Sequence, residues 1–583
     1  MKTTRREIMM FAGGSAVGVL FTPAPWRLIT DTALWSENWP GVPVPARGEI
    51  RAKYTNCSLC PAGCAVRARC VGDQPVALAG VSGHPLSHGA LCPFGLAGHH
   101  LPYLPSRVKQ GPVKEAAAAV AEGIAKCGPA EYVVTLDLRP ARTASWTYRR
   151  AMAAVKNGRY VTPSVDSSVA VDLAKARTVL SFGVPVLDGW GTPGNVIAAR
   201  PGFRLIQADP VESRTATMAD QWLRIRPGSE DALAQGLAST VTHAAAAEAS
   251  GLAESEIAAL AARLEQNGPV LVLGSSRLES TGRTVVARRE TPVPTEWHKA
   301  APVSGLASLP DGSVRVLMVD ESAPGEYLPW NAIQKKLVAD NPVVVALAWS
   351  REGYARHAQY VLPVGVYPEV VGDIPPAVDS VAATFRLSVP LVPAPESCVK
   401  PEEFVAAAAG LSIADTLHER ADAIYKTGRG ALFTCADAKS AALKDVSAAD
   451  FWKALNAGGC WIDAPDEKAP AARFSAAAAE ARPVEESELP FVVVLNRELT
   501  PASPILSKVY QESNLRLAPN TVALHPSCGL EDGTQAVFET LLGKCPVRVT
   551  LDAGVPAGVV RVTASPAVLD LCAAGARAKV VRA

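Results

Sequence analysis

The chain has almost no net charge, with 57 Lys and Arg against 56 Asp and Glu in 583 residues. That balance removes the electrostatic case for a nucleic-acid partner or an anionic membrane surface. Beyond the N-terminal segment no unbroken apolar run reaches 18 residues, so the body of the chain contains no candidate membrane-crossing helix. No Ser-His-Asp set, phosphate loop or pair of catalytic carboxylates stands out. The run from Val270 to Gly274 is a strand followed by one glycine, too little for nucleotide binding. Structural zinc usually draws on two separated C-x2-C pairs, and the second pair is missing here. With 48% hydrophobic residues the chain has enough apolar material for several cores, consistent with two to four domains.

What is present is a tight cysteine set: Cys57, Cys60 and Cys64, then Cys92 after 27 intervening residues. Three thiolates within eight residues suit three corners of an iron-sulfur cubane, with a fourth supplied by a distant turn. This spacing predicts one [4Fe-4S] cluster on Cys57, Cys60, Cys64 and Cys92, and hence a chain that moves electrons. Two alternatives stand beside it. His84 and His88 could complete a zinc set, although a polar Gly- and Pro-rich loop suits solvated histidines; a disulfide is the other. Cys70 is a rival ligand, but the alternation from Val66 to Val71 reads as a strand with Cys70 as a small buried residue. The other cysteines, Cys127, Cys398, Cys435, Cys460, Cys528, Cys545 and Cys572, lack metal-like spacing. Sequence cannot pair them into disulfides.

Arg5 and Arg6 precede a short apolar run from Ile8 to Phe21, which reads as a twin-arginine export signal, or else as two chance arginines before a hydrophobic helix. No small-x-small cleavage site follows Phe21, so a retained tether is one expectation. The stretch 31–56 is rich in Trp and Pro, including Trp35, Trp39 and Pro40, and looks like an extended segment lying on another surface.

From residue 111 onward short apolar strands alternate with Ala-rich helices. Strands are expected at 132–136, 178–182, 203–207, 269–273, 314–319 and 342–346, giving parallel sheets with helices on both faces. Such sheets take ligands beyond the carboxyl ends of their strands. A Pro-, Ala- and Glu-rich stretch at 465–489 reads as a linker. Short β-type runs at 491–495, 521–524, 546–550 and 558–562 make the last hundred residues a compact β-rich domain.

The cysteine set, the run from Ala208 to Ala216 with Ala219 and Asp220, and the run from Leu223 to Leu233 together resemble the molybdopterin oxidoreductase family. Ala358 to Pro363 with Glu369, and His525–Pro526 before Gly529 to Gly533, extend the likeness in family order over almost the whole chain. The resemblance implies a multidomain α/β fold: a small N-terminal iron-sulfur domain, two α/β domains with mainly parallel sheets, and a C-terminal β-barrel-like domain. The corresponding boundaries are 1–30 for the signal or anchor, 31–110 for the iron-sulfur domain, 111–155 with 314–464 for one α/β domain, 156–313 for the second, 465–489 for the linker and 490–583 for the barrel-like, dinucleotide-binding-type domain. In active members these domains hold molybdenum or tungsten between two pterin dinucleotides.

Departures from the family pattern point away from that metal. Phe94 stands two positions after Cys92, where a Lys or Arg usually bridges cluster and pterin, and a phenyl ring donates no hydrogen bond. The family's metal-ligand loop is short here; Ser164, Asp166, Ser167 and Ser168 have suitable chemistry, yet Pro163–Ser164 equally starts a turn or caps a helix. The Gly-x-Asn-Pro pterin contact reduces to Gly183, Val184 and Pro185, and the stretch 320–324 also lacks Asn. Asp209 and Glu230 retain the carboxylates that hold guanine in the family, or act as local anchors. Together with Pro23 to Trp26 and Trp35 to Pro40 just before the cysteines, that pattern is most similar to the molybdopterin-like subunits of quinone-reducing respiratory complexes, with molybdopterin expected to be absent. It implies three partners: a multihaem cytochrome c subunit, a ferredoxin-like iron-sulfur subunit, and an integral membrane quinone-binding subunit. Electrons would pass from periplasmic cytochrome c to menaquinone, on the periplasmic side of the inner membrane. The alternative expectations are a catalytic molybdenum subunit, or a docking subunit with an electron-inert cluster.

Overall fold

A computed structural model describes residues 48–583 except 105, 164–167, 324, 326, 414, 466–471, 473–488, 497–519, 564 and 573–575, together with residues 4–6, 8–10 and 14. Ser164, Asp166 and Ser167, nearly all of the 465–489 linker, Trp35, Trp39 and most of the export signal lie outside the described residues. Arg5 and Arg6 are helical and exposed.

The N-terminal unit is a three-stranded antiparallel sheet, Ile50–Asn56, Ala65–Val71 and Gln74–Gly80. Alternation along the middle strand buries Val66, Ala68 and Cys70 and exposes Arg67 and Arg69, so Cys70 is a core residue as expected. The loop between the first two strands carries Cys57, Cys60 and Cys64.

Six parallel strands form the central sheet, in the order Val303–Ser304, Gly158–Val161, Tyr132–Asp137, Val314–Asp320, Val343–Ala348 and Tyr360–Pro363. Their runs of Val and Leu are apolar on both faces because helices cover both. Helix Val113–Lys126 turns Ala116, Val120 and Gly123 inward at helical spacing, and Thr143–Ala154 does the same with Tyr148, Ala151 and Met152. A second parallel sheet, Val270–Leu273, Thr178–Phe182, Arg204–Asp209 and Gln221–Arg224, is built from chain that leaves the central sheet after Val161 and returns before Val303.

A third sheet was not among the expected elements. It has five antiparallel strands in the order Gly372–Asp373, Ala383–Ser388, Cys460–Asp463, Ala431–Thr434 and Lys439–Ala442. The C-terminal strands close into a six-stranded barrel whose interior holds Val522, Phe538, Val549 and Val562. Asp570 ties the barrel to the central domain by accepting from Tyr327 Oη at 2.7 Å, the Trp330 N–H at 2.8 Å and Arg356 Nη2 at 2.7 Å.

The segment after the iron-sulfur unit is pinned by a buried ion pair. Arg107 donates from Nη1 and Nη2 to the two oxygens of Glu369, each at 2.5 Å, and both side chains are almost fully enclosed. Removing one partner strands the other charge in the interior. Arg107→Ala is expected to cost about 3–5 kcal/mol, read as a lower midpoint in denaturant unfolding. Arg107→Met combined with Glu369→Leu should recover much of that loss.

Candidate iron-sulfur site

Backbone hydrogen bonds curl the cysteine loop. Cys57 N–H donates to the Cys64 carbonyl at 2.9 Å and Gly63 N–H to the Cys60 carbonyl at 3.2 Å. Cys92 caps the short helix Pro93–Ala97, where proline sets the first turn. All four predicted cysteines come together: the thiols of Cys60, Cys64 and Cys92 each disfavour the Cys57 thiolate. Burial is the larger cause, raising Cys57 well above its ordinary value and Cys64 to about 12, with Cys60 the next contributor to each. Backbone N–H groups of Leu59, and of Phe94 and Gly95, work in the opposite direction on Cys57 and Cys92.

Among the described residues no three His, Cys, Asp or Glu side chains close around a single metal ion. Zinc would need that, whereas a cubane holds its thiolates at separate corners. His84 does not enter the set. Its Nδ1 accepts from the Leu86 and Ser87 N–H groups at 3.3 and 3.1 Å, which puts the proton on Nε2, and His88 bonds Asn195 at 3.2 Å. Both histidines build the loop.

The surroundings suit a buried group rich in hydrogen-bond acceptors. Phe94, Leu101, Val366 and Tyr367 pack with Cys57 in one apolar cluster, and Leu59, Leu91 and Cys92 lie at its margin. The Tyr367 hydroxyl is buried with no partner, and after burial the nearby Cys57, Cys64 and Cys92 oppose its ionisation. Arg386 is 1% exposed and has two N–H groups without acceptors. An empty apolar core would leave these donors stranded; sulfide and thiolate sulfur would accept from them. The residues therefore fit an iron-sulfur cluster. Cys60 and Cys92 are only half-buried and Leu96 beside them is 43% exposed, so this side of the site is the one nearest solvent.

Long-range clamps hold the loop in place, and none was foreseen from sequence. Arg139, just beyond strand Tyr132–Asp137, donates from Nη1 to the Ser58 carbonyl and from Nη2 to the Leu59 carbonyl at 2.8 Å. Burial, then neighbouring Arg142, push its pKa down to about 10. Asn56 Nδ2 donates to the Leu387 and Gly458 carbonyls at 2.9 and 3.1 Å. The one available signal for Arg386 was an arginine set between Phe385 and Leu387 in an apolar run.

A pterin fits the remaining surroundings less well. Phe94 is buried in the apolar cluster and offers no charge. The polar groups at the carboxyl edge of the central sheet satisfy one another: Arg142 bridges Asp137 and Asp320 at 2.8 and 2.7 Å, Tyr148 donates to Asp320 at 2.8 Å, and Tyr160 and Ser145 donate to Asp137 at 2.8 and 2.6 Å. Burial raises the Asp137 pKa; burial also opposes the Asp320 charge, but Arg142 and Ser322 hold that carboxyl below its usual range. The loops beyond these two strands touch, and a Cβ on Gly325 would overlap the Leu138 carbonyl. Asp209 accepts from the Val211 N–H at 3.2 Å and from Gln207 Nε2 at 3.3 Å, and Glu230 accepts backbone N–H groups including its own. Each is locally anchored, and burial raises both. Ser168 is exposed.

Residues 50–103 match the molybdopterin oxidoreductase Fe4S4 domain. The chain is 26% identical over 468 residues, 64% of its own length and 67% of the other's, to the menaquinone reductase molybdopterin-binding-like subunit of Nitratidesulfovibrio vulgaris. It is 25% identical over 223 residues, 32% of this chain and 23% of the other, to a sulfite dehydrogenase subunit of Allochromatium vinosum. Acetylene hydratase from Pelobacter acetylenicus superposes with a TM-score of 0.67 at 14% identity, over 91% of this chain and 100% of that one, a likeness of fold.

His84 lends the loop a pH dependence. Burial, then Arg386 and His88, lower its pKa from 6.5 to about 3. Above 6.5 folded and unfolded chains are both neutral at this ring; below it only the unfolded chain gains a proton, so stability falls with pH until the folded ring titrates near 3. From about pH 7.5 to about pH 5 this ring should cost about 2 kcal/mol. Urea midpoints of His84→Gln should fall less over that interval than those of the native chain.

Proposed function

We propose that this chain, which carries a molybdopterin oxidoreductase Fe4S4 domain within the fold of the molybdopterin enzymes, is the iron-sulfur electron-transfer and scaffold subunit of a membrane-attached menaquinone reductase complex. Cys57, Cys60, Cys64 and Cys92 would hold one [4Fe-4S] cluster. The observation that carries this reading is the convergence of four thiols beside the unmet donors of Tyr367 and Arg386, inside the matched domain. The partner class comes from the relative's own description as a menaquinone reductase subunit.

Bound, the cluster would take up and release one electron at a time. The chain's part is to hold and insulate it. Phe94, Leu101 and Val366 exclude water on the inner side, and the N–H groups of Leu59, Phe94 and Gly95 support the ligating sulfurs. The half-buried side at Cys60, Cys92 and Leu96 is where an electron has the shortest path to a neighbour.

Molybdopterin is absent in this reading. Phe94, the self-satisfied Asp137–Arg142–Asp320 network and the closed approach of Gly325 to Leu138 all support that. The complex would include a multihaem cytochrome c subunit, a ferredoxin-like iron-sulfur subunit, and an integral membrane quinone-binding subunit, with periplasmic cytochrome c as donor. Attachment would run through those partners after twin-arginine export; no helix among the described residues is long and apolar enough to cross a membrane.

Elemental analysis is expected to find neither molybdenum nor tungsten in the purified complex, and iron and sulfide in cubane proportion in this full chain purified apart from its iron-containing partners. Stoichiometric molybdenum would replace this reading with a catalytic one. Cys60→Ala should abolish the low-temperature paramagnetic signal of the reduced chain and cut menaquinone reduction while the complex still assembles. Undiminished quinone reduction would leave the cluster an electron-inert prop.

A further inference from the structure

Arg386 is a buried charge with no opposite charge beside it. It lies on strand Ala383–Ser388, is 1% exposed, and its side chain makes one hydrogen bond, from Nη2 to the Pro61 carbonyl at 3.1 Å. Nε and Nη1 have no acceptor, and among the described residues no carboxylate pairs with it. Three other enclosed arginines are paired with carboxylates, Arg107 with Glu369, Arg142 with Asp137 and Asp320, and Arg420 with Asp373 at 2.8 Å, while buried Arg139 donates to the Ser58 and Leu59 carbonyls. A guanidinium does not shed its proton inside a protein, so an uncompensated one is costly to bury.

What it packs against is the cysteine loop. The guanidinium lies on Gly63, between Cys60 and Cys64, so closely that a Cβ there would stand 2.5 Å from Arg386 Cζ. Gly63 also has φ +52°, so glycine is required by both backbone and neighbour. Cys64, Cys460 and His84 are the titratable groups within its field, and none is an acid of ordinary acidity.

We propose that Arg386 is the counter-charge of the iron-sulfur cluster, its two spare N–H donors serving cluster sulfur and its positive charge raising the reduction potential. The inference rests on the cluster reading above. Four thiolates carry more negative charge than an iron-sulfide core cancels, and reduction adds one more electron from the redox partner. A fixed cation at low dielectric therefore favours the reduced state. Phe94 supplies no cation to the cluster; position 386, 325 residues from its contact at Pro61, places one against the cysteine loop.

The test uses the full chain in its complex, with iron and sulfide content and the midpoint from a redox titration followed by electron paramagnetic resonance. Arg386→Gln is expected to retain cubane iron, while at the native midpoint its ratio of reduced to oxidised cluster falls about tenfold, equivalent to about 59 mV for one electron. Arg386→Lys, which keeps the charge, should stay near the native midpoint. Cubane iron with an unmoved midpoint in Arg386→Gln overturns this inference and leaves the cluster reading intact. If Arg386→Gln loses its iron, retention of iron by Arg386→Lys supports the charge role, and equal loss from both overturns it in favour of simple packing. Native protein without cubane iron overturns the cluster reading, and this inference with it.

Discussion

Everything around the four-cysteine site depends on holding an irregular eight-residue loop at fixed geometry in the interior. The loop has few backbone hydrogen bonds of its own, and its carbonyls are held from afar. Arg139 reaches Ser58 and Leu59 from the end of a central-sheet strand, and Arg386 reaches Pro61 from the antiparallel sheet. Thr55 exchanges hydrogen bonds with the Val389 backbone at 2.8 and 2.7 Å, and Asn56 bonds two further carbonyls. A guanidinium donating to carbonyls is strong where water is excluded, because neither partner has an alternative. The iron-sulfur unit is thus a part of the larger domains and shares its stability with them.

The carboxyl edge of the central sheet illustrates the same economy of polar groups. Strand ends in parallel sheets are natural ligand sites because loops diverge there. Here Asp137 and Asp320, the last residues of two adjacent strands, are bridged by Arg142 and capped by Tyr148, Tyr160 and Ser145. Two residues beyond Asp137, Arg139 turns to the cysteine loop. This edge is a platform for that loop, and its hydrogen-bonding capacity is used within the chain.

Legibility from sequence followed the range of the interactions. Six of the ten parallel strands were readable, among them Tyr132–Asp137 and Val343–Ala348, because burial on both faces writes a continuous apolar run into local sequence, whereas Gly158–Val161, Gln221–Arg224, Val303–Ser304 and Tyr360–Pro363 were not foreseen. Four of the six barrel strands were readable as β-branched runs between turns, and Gln535–Thr540 and Arg577–Arg582 were not foreseen. The antiparallel sheet was not: Lys439–Ala442 is wholly exposed, and Ala383–Ser388 buries Thr384, Arg386 and Ser388 along with its apolar residues. The apolar–polar alternation of Ala383–Ser388 suits a half-buried strand, but remote chain covers both of its faces. The same distance hid Arg139, Tyr367 and Arg386, while the Cys57, Cys60 and Cys64 spacing was visible because one loop contains it.

Sequence by itself determined the cysteine set, the parallel α/β order and the β-rich end, all of which rest on spacing within a few tens of residues. It also marked Phe94 as the residue that breaks the family pattern beside Cys92. Only the tertiary structure decided what surrounds the thiols: that His84 spends its lone pair on backbone N–H groups, and that Tyr367 and Arg386 bring unmet donors to the loop. The His84 bonds are local, but the placing of Tyr367 and Arg386 depends on segments more than three hundred residues apart meeting in a dry interior, where an unpaired donor is expensive and the chain must supply, or await, its acceptor.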